Sequence, residues 1–141
     1  MGWAALFTAT NAIALIAWAM LAFLPRKPIV MASVLFFGAG LLCLAYTIMF
    51  AAQATTIANG DFTTVGGIRA LFATDGGIVL GWAHYLAFDL FVGQWIARDA
   101  DNKGFHRLLQ LPVLFITLMA GPIGLLLWLI IRESRARAAT A

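Results

Sequence analysis

Four long apolar runs divide this chain, and they limit its fold more than any other feature of the sequence. The hydrocarbon core of a bilayer needs about 20 predominantly apolar residues in one helix. Only 11% of the 141 residues are charged, against roughly 25% in soluble domains. The sequence therefore predicts an all-α, polytopic membrane protein, with residues 1–141 forming one domain built as a four-transmembrane-helix bundle. The predicted spans are Trp3–Leu24, Ile29–Ala52, Gly77–Ala97 and Leu108–Ile131.

The connections between the runs predict how the helices are joined. Leu24–Pro28 is short and contains two prolines, so the first two helices should form an antiparallel hairpin. The longer segment Thr55–Gly76 carries Gly and Asn residues that favour turns. Within it, Ile68, Leu71 and Phe72 share one helical face, which predicts a short helix in the membrane interface. That helix is either a lid over a site or a passive loop.

Basic residues lie in the connections and in the C-terminal segment, where membrane proteins usually carry them. Four spans would place both termini on the same side of the membrane. The nine Lys and Arg residues would then divide into four and five between the two sides, a difference too small to fix the orientation. Because these residues do not cluster on one soluble face, we expect no nucleic-acid partner.

The third run contains His84, Asp89 and Gln94 in an otherwise apolar segment. An ionisable group at the centre of a membrane helix costs at least about 2.5 kcal/mol, so such a group is usually buried, paired and functional. His84 and Asp89 are five residues apart, which separates them by about 140° around a regular helix. Two interpretations stay open, a structural role in holding helices together and a pair of acid and base with separate tasks.

Aromatic residues accompany one ionisable group on each of these two helix faces. Such stripes are typical of bundle cores, yet they also suit a cleft for a long apolar ligand with a polar end. The candidate catalytic residues are therefore His84 and Asp89. No clear third ligand appears in the other runs, so we expect no metal site. The candidate substrate-binding residues are Trp82, Tyr85, Phe88, Gln94, Trp95 and Asp99.

Small residues at four-residue spacing predict close contacts between helices, because they allow two backbones to approach. Gly77 and Gly81 have this spacing, as do Thr117 and Gly121. Pro122 lies inside the fourth run, where the loss of one backbone hydrogen bond should bend the helix.

The segment from Trp82 to Asp99, W-x-H-Y-L-A-F-D-L-F-x-G-x-W-I-x-x-D, resembles the abscisic-acid-deficient-4-like family. Leu111–Leu126, with its Leu-Pro, Thr and Gly-Pro-x-Gly-Leu-Leu elements, is similar to the last helix of that family, and Trp18–Pro25 is similar to the end of its first. The resemblance implies a small polytopic membrane protein. Plant members are linked to neoxanthin synthesis, in which the epoxide end group of violaxanthin becomes an allene.

If the family chemistry carries over, the resemblance implies an isomerase that needs no cofactor. One group protonates the epoxide oxygen and another removes a proton from the neighbouring polyene carbon. His84 and Asp89 would fill these roles, with Tyr85 and Asp99 in support. The chain departs from the plant pattern at Gln94, where an arginine is expected, and this leaves the choice of carotenoid open.

Three functions are compatible with the sequence. The first is a cofactor-independent enzyme acting on a carotenoid or related isoprenoid in the bilayer. The second is a non-catalytic subunit that binds pigment, lipid or a larger enzyme, and the third is a proton-coupled transporter that uses Asp89. The expected partners are membrane lipid, a long apolar ligand, and either further copies of the chain or a larger membrane complex. The expected location is the inner membrane of a bacterium.

Overall fold

Every regular element in residues 2–138, the part of the chain that this computed structural model describes, is a helix. The side chains are described as far as Glu133. The helices are α1 Trp3–Phe23, α2 Pro28–Ser33, a π-helical segment Val34–Gly40, α3 Leu41–Ala52, α4 Ala54–Ala58, α5 Val65–Leu71, α6 Asp75–Asn102, α7 Arg107–Met119 and α8 Gly121–Ala138.

Within the described residues, three helical rods are long and apolar enough to cross a membrane. They are Trp3–Phe23, the continuous rod Pro28–Ala52, and Asp75–Asn102. The first two are joined by the short Pro-rich connection and lie antiparallel, as the sequence predicts. Both pack along α6, which is therefore the central helix of the bundle.

The three rods approach one another closely at Gly38, in the π-helical segment. A Cβ atom placed on Gly38 would lie 2.7 Å from Ala17 Cβ of α1 and 2.9 Å from Leu90 Cδ2 of α6. Both distances are shorter than a van der Waals contact, so a larger residue would force the rods apart. The core of the bundle sits around this junction and includes the buried Trp18 and Leu21.

The fourth predicted span is not one transmembrane helix, and this part of the prediction is wrong. The backbone leaves the helical conformation at Ala120, with φ −156° and ψ 74°, and a new helix begins at Gly121. Trp128 of α8 packs edge-to-face on Phe105, which precedes α7, with 5.0 Å between the ring centroids. The two arms therefore run antiparallel and form a re-entrant hairpin, which enters and leaves at the same end of the bundle.

Pro122 contributes to the break between α7 and α8. Proline lacks the N–H group that would bond to the preceding turn, so it disfavours a continuous helix, although α7 accommodates Pro112. It is well tolerated in the first turn of a new helix. The two arms then pack tightly, because a Cβ atom on Gly124 would lie 2.1 Å from Thr117 Oγ1. At the tip of the hairpin, the Tyr85 hydroxyl donates a hydrogen bond to the Leu118 carbonyl at 3.3 Å. The hairpin thus reaches about half-way along α6.

The hairpin reverses the predicted arrangement of the termini. Arg132 of α8 lies beside Asp99, near the end of α6, with 2.9 Å between Nε and Oδ2. The C-terminal segment therefore leaves the bundle at the end opposite to Trp3. We call it the basic end, because Arg69 alone among the Lys and Arg residues lies at the other end. The directions of the helices place the other eight at the basic end: Arg26, Lys27, Arg98, Lys103, Arg107, Arg132, Arg135 and Arg137.

From the imbalance of eight to one we expect the basic end to be cytoplasmic, since short cytoplasmic segments carry the excess of basic residues. We expect a cysteine at Gly104 to react with a membrane-impermeant thiol reagent from the cytoplasmic side only. A cysteine at Thr63 should react from the opposite side only. Both variants are made with Cys43 replaced by Ser, and a C-terminal tag should be accessible on the same side as Gly104. A tag on the side of Thr63 would restore the fourth span and contradict the hairpin.

Candidate functional site

A largely apolar cavity of about 260 Å³ lies between α6 and the α3–α5 region, at the end of the bundle opposite to the basic end. The helix α5 bears Ile68 and Leu71, and Phe72 follows it; all three side chains line this cavity. The sequence left two interpretations open, a lid and a passive loop, and the structure supports the lid. We use the name lid for α5 together with Phe72. The complete lining is Tyr46, Phe50, Gln53, Thr56, Ile57, Phe62, Ile68, Leu71, Phe72, Gly77, Leu80, Gly81 and His84.

The lid packs against Gly77 and Gly81 of α6, the two glycines for which the sequence predicted contacts between helices. A Cβ atom on Gly77 would lie 1.8 Å from the Leu71 carbonyl oxygen, and one on Gly81 would lie 2.3 Å from Phe72 Cε1. The two glycines therefore allow a close approach to α6, as the sequence predicts. The segment that approaches is the end of the lid and not a second spanning helix.

The start of the lid is fixed by Asp61 and Thr64. The Asp61 carboxylate accepts hydrogen bonds from the Thr63 amide at 2.8 Å and from both threonine hydroxyls. The bond from the Thr64 hydroxyl is the main reason that the pKa of Asp61 falls to about 2. Thr64 then caps α5 by accepting from the Gly67 amide at 3.1 Å, a usual way to satisfy the first turn of a helix. The carboxylate that organises this turn stays ionised down to strongly acidic pH.

His84 is an exposed, ionisable residue that lines the cavity. Its ring stacks on Phe88, with 4.6 Å between centroids, and lies 5.5 Å from the ring of Tyr46. At 1.5 Å per residue it lies about 14 Å along α6 from Asp75. Tyr46 was not predicted as a site residue, because it belongs to a different rod and no local sequence pattern links it to His84.

Asp89 occupies a different environment on the other side of α6. Its residue is 8% exposed, and its carboxylate faces the start of α8, where a Cβ atom on Gly121 would lie 2.0 Å from Oδ1. The Tyr85 side chain and the Gly121 backbone are its polar neighbours. A helix N-terminus carries a partial positive charge that stabilises a carboxylate. Asp89 is therefore placed to hold the tip of the re-entrant hairpin.

The structure does not bring the two candidate catalytic residues together. His84 lines the cavity, whereas Asp89 faces the hairpin, in agreement with their angular separation on the helix. Among the described side chains, Asp89 Oδ2 is buried without a hydrogen-bond partner. The assignment of both residues to one reaction stays a prediction.

Trp82 and Gln94 are predicted binding residues that lie outside the cavity lining. Trp82 donates a hydrogen bond to Asn11 Oδ1 at 3.1 Å, and its ring lies 5.3 Å from that of Tyr85. Gln94 is 2% exposed and donates to the Met31 carbonyl. Gln94 therefore links α6 to the rod just before the π-helical segment.

The remaining predicted binding residues secure the outer part of the hairpin. Trp95 lies under the Arg132 guanidinium, 5.6 Å from its carbon, an arrangement favourable for cation–π attraction. Asp99 accepts from the Trp128 indole at 3.0 Å and pairs with Arg132. Phe88 alone of the six predicted binding residues is in ring contact with His84 at the cavity.

A polar network at the basic end was missed by the sequence analysis. The side chain of Arg26 is 6% exposed and lies 2.8 Å from Asp101 Oδ1. It also donates to the Ala97 carbonyl at 3.1 Å and to the Gln110 side-chain oxygen. Gln110 in turn donates to Asp101 at 3.0 Å. This network ties the first connection to both α6 and α7, and it depends on contacts that are remote in sequence.

The fold and the cavity together define a class of protein, an α-helical membrane protein with three long spans, a re-entrant hairpin and a lidded apolar cavity. A family model described as ABA DEFICIENT 4-like matches residues 5–128. The chain belongs to this ABA4-like family, which confirms the resemblance seen in the sequence. The match runs from α1 to Trp128 and so includes α7 and the first part of α8. No curated protein and no solved structure matches the chain.

Proposed function

We propose that this protein binds an oxygenated end group of a carotenoid or related isoprenoid in the lidded cavity and isomerises it by acid–base chemistry. The observation that carries the proposal is the cavity itself. Its walls are mainly aromatic and aliphatic, and His84 is the ionisable histidine among the residues that line it. Ligand sites are usually of this kind, apolar with a few polar groups that fix the orientation of the ligand.

The size of the cavity supports binding of an end group. Pockets for drug-sized ligands measure about 300–1,000 Å³, and this cavity measures about 260 Å³. It therefore suits one ring of a long isoprenoid. The rest of the polyene would pass the exposed residues Phe50, Phe62 and Phe72, which line the cavity and would face lipid acyl chains.

His84 is the proposed general base. It would accept a proton from the carbon next to the ring, while a second group protonates the oxygen that leaves that ring. The reaction is an isomerisation, so no electrons are gained or lost. The sequence assigns the second role to Asp89, but that carboxylate faces the re-entrant hairpin and not the cavity.

The placement of Asp89 favours one competing function. A binding or assembly subunit needs the cavity but no acid opposite the base. The same fold would then present a pigment or lipid to a larger membrane complex. Conversion of a substrate distinguishes the two functions, since the subunit would retain the ligand unchanged.

The test is the pigment profile of hosts that produce violaxanthin, zeaxanthin or β-carotene, with and without this protein. We expect a new isomer in one host and a pigment that co-purifies with the protein in mild detergent. The variant Leu80→Trp fills the cavity and should lose the bound pigment. Leu44→Trp adds the same ring to an exposed position on α3 and should keep it. Bound pigment with an unchanged profile in all hosts would favour the subunit, and the absence of both would reject the proposal.

A further inference from the structure

We propose that Tyr46 is the acid partner of His84, so that the catalytic pair is formed between α3 and α6. This inference rests on the proposed isomerisation. It replaces the pairing of His84 with Asp89, which the sequence suggested, by a pairing that exists inside one cavity.

The geometry places Tyr46 where such a group is needed. Tyr46 and His84 both line the cavity, and their rings are 5.5 Å apart at an angle of 59°. The Tyr46 ring also lies 5.9 Å from that of Phe50. It packs against a buried cluster that contains Met49 and Ala83. These contacts fix the ring beside the imidazole.

The chemistry requires two groups that reach neighbouring atoms of one end group. The Tyr46 hydroxyl gives its proton to the ring oxygen as the carbon–oxygen bond breaks, which produces a hydroxyl on the product. The His84 imidazole accepts the proton of the adjacent carbon, and the electrons of that carbon–hydrogen bond form the new double bond. Transfer of a proton from the imidazolium to the tyrosinate restores both side chains. Atoms and electrons balance without an oxidant or a metal.

The arrangement also explains how one helix can carry two ionisable groups with different tasks. His84 faces α3 and the cavity, whereas Asp89 faces Gly121 and the hairpin. An end group seated beside His84 therefore also meets the phenol, since the two rings are only 5.5 Å apart. Asp89 remains on the far side of α6.

The test compares Tyr46→Phe with Thr47→Val in the purified protein. Both changes remove a hydroxyl, but Thr47 is exposed and its hydroxyl bonds to its own helix at the Cys43 carbonyl. We expect Tyr46→Phe to lower kcat by about 100-fold, the usual size of a general acid contribution, with KM unchanged. The limb of the pH–rate profile that reports the proton donor should disappear. Thr47→Val should keep the profile of the unaltered protein.

The outcomes separate this inference from the proposal on which it rests. Suppose that Tyr46→Phe keeps its turnover and both limbs of the pH profile, while His84→Gln is impaired. This result would overturn the role of Tyr46 and leave the isomerisation standing. An equal loss of kcat in Asp89→Asn with no loss in Tyr46→Phe would return the acid role to Asp89. An unaltered protein that binds pigment but converts none would overturn both proposals.

Discussion

Replacing His84 by Gln is expected to lower the rate of isomerisation by about 100-fold or more. Glutamine keeps a polar side chain of similar reach, but it cannot accept the proton that the reaction removes. The ring stacking of His84 with Phe88 contributes to the shape of the cavity, so pigment binding should weaken far less than turnover. The measurement is product formation in a single turnover, with the amount of co-purified pigment determined in the same sample.

The matched control is His106→Gln. His106 is exposed and its Nδ1 accepts from the Leu108 amide at the start of α7, outside the cavity. This variant should keep full turnover. Equal losses in both variants would show that the effect of His84→Gln is a general one, and full turnover in His84→Gln would remove the general base from the proposal.

The second large effect concerns the hairpin tip. Gly121→Ala should destabilise the protein, because the new methyl group would lie 2.0 Å from Asp89 Oδ1 and 2.5 Å from Cγ. Forcing extra atoms into a packed interior typically costs about 1–3 kcal/mol. We therefore expect a lower unfolding temperature in detergent and faster proteolysis near the tip. The measurement is thermal unfolding followed by intrinsic fluorescence, to which all five tryptophans of the protein contribute.

A double-mutant comparison identifies the colliding group. Gly121→Ala should lower the free energy of unfolding less in an Asp89→Ala background than in the unaltered protein. The reason is that the effects of substitutions at neighbouring sites are not additive. Gly66→Ala is the control, because its new methyl group would lie 3.9 Å from Thr64 Oγ1, an ordinary van der Waals distance. If the two changes at the tip are simply additive, Asp89 does not face the start of α8.

The apolar runs of the sequence correctly predicted three spans, the first antiparallel hairpin and the apolar face of the lid. These features depend on local properties. The length of an uncharged run must match the bilayer, and Ile68, Leu71 and Phe72 share a face because of helical periodicity alone. Membership of the ABA4-like family was also visible in the spacing of residues along α6.

The direction of α8 was decided only by tertiary contacts. Hydropathy reports how many apolar residues a segment has, but one spanning helix and two short antiparallel arms have the same total. A broken helix is tolerated in a membrane when its free backbone groups are buried in protein. Here the tip lies against Asp89 and the Tyr85 hydroxyl, while the packing of Trp128 on Phe105 closes the hairpin.

Some residues of the candidate site could likewise be predicted from the sequence, whereas others were found only in the structure. The sequence identified His84 and Asp89, because an ionisable group in an apolar run is costly and therefore conspicuous. It could not identify Tyr46, since an aromatic residue in a membrane helix has many ordinary uses. Only the packing of α3 on α6 brings Tyr46 to His84 and turns Asp89 towards Gly121. Residue types thus follow from the sequence, whereas their pairing depends on how rigid helices with fixed side-chain directions pack together.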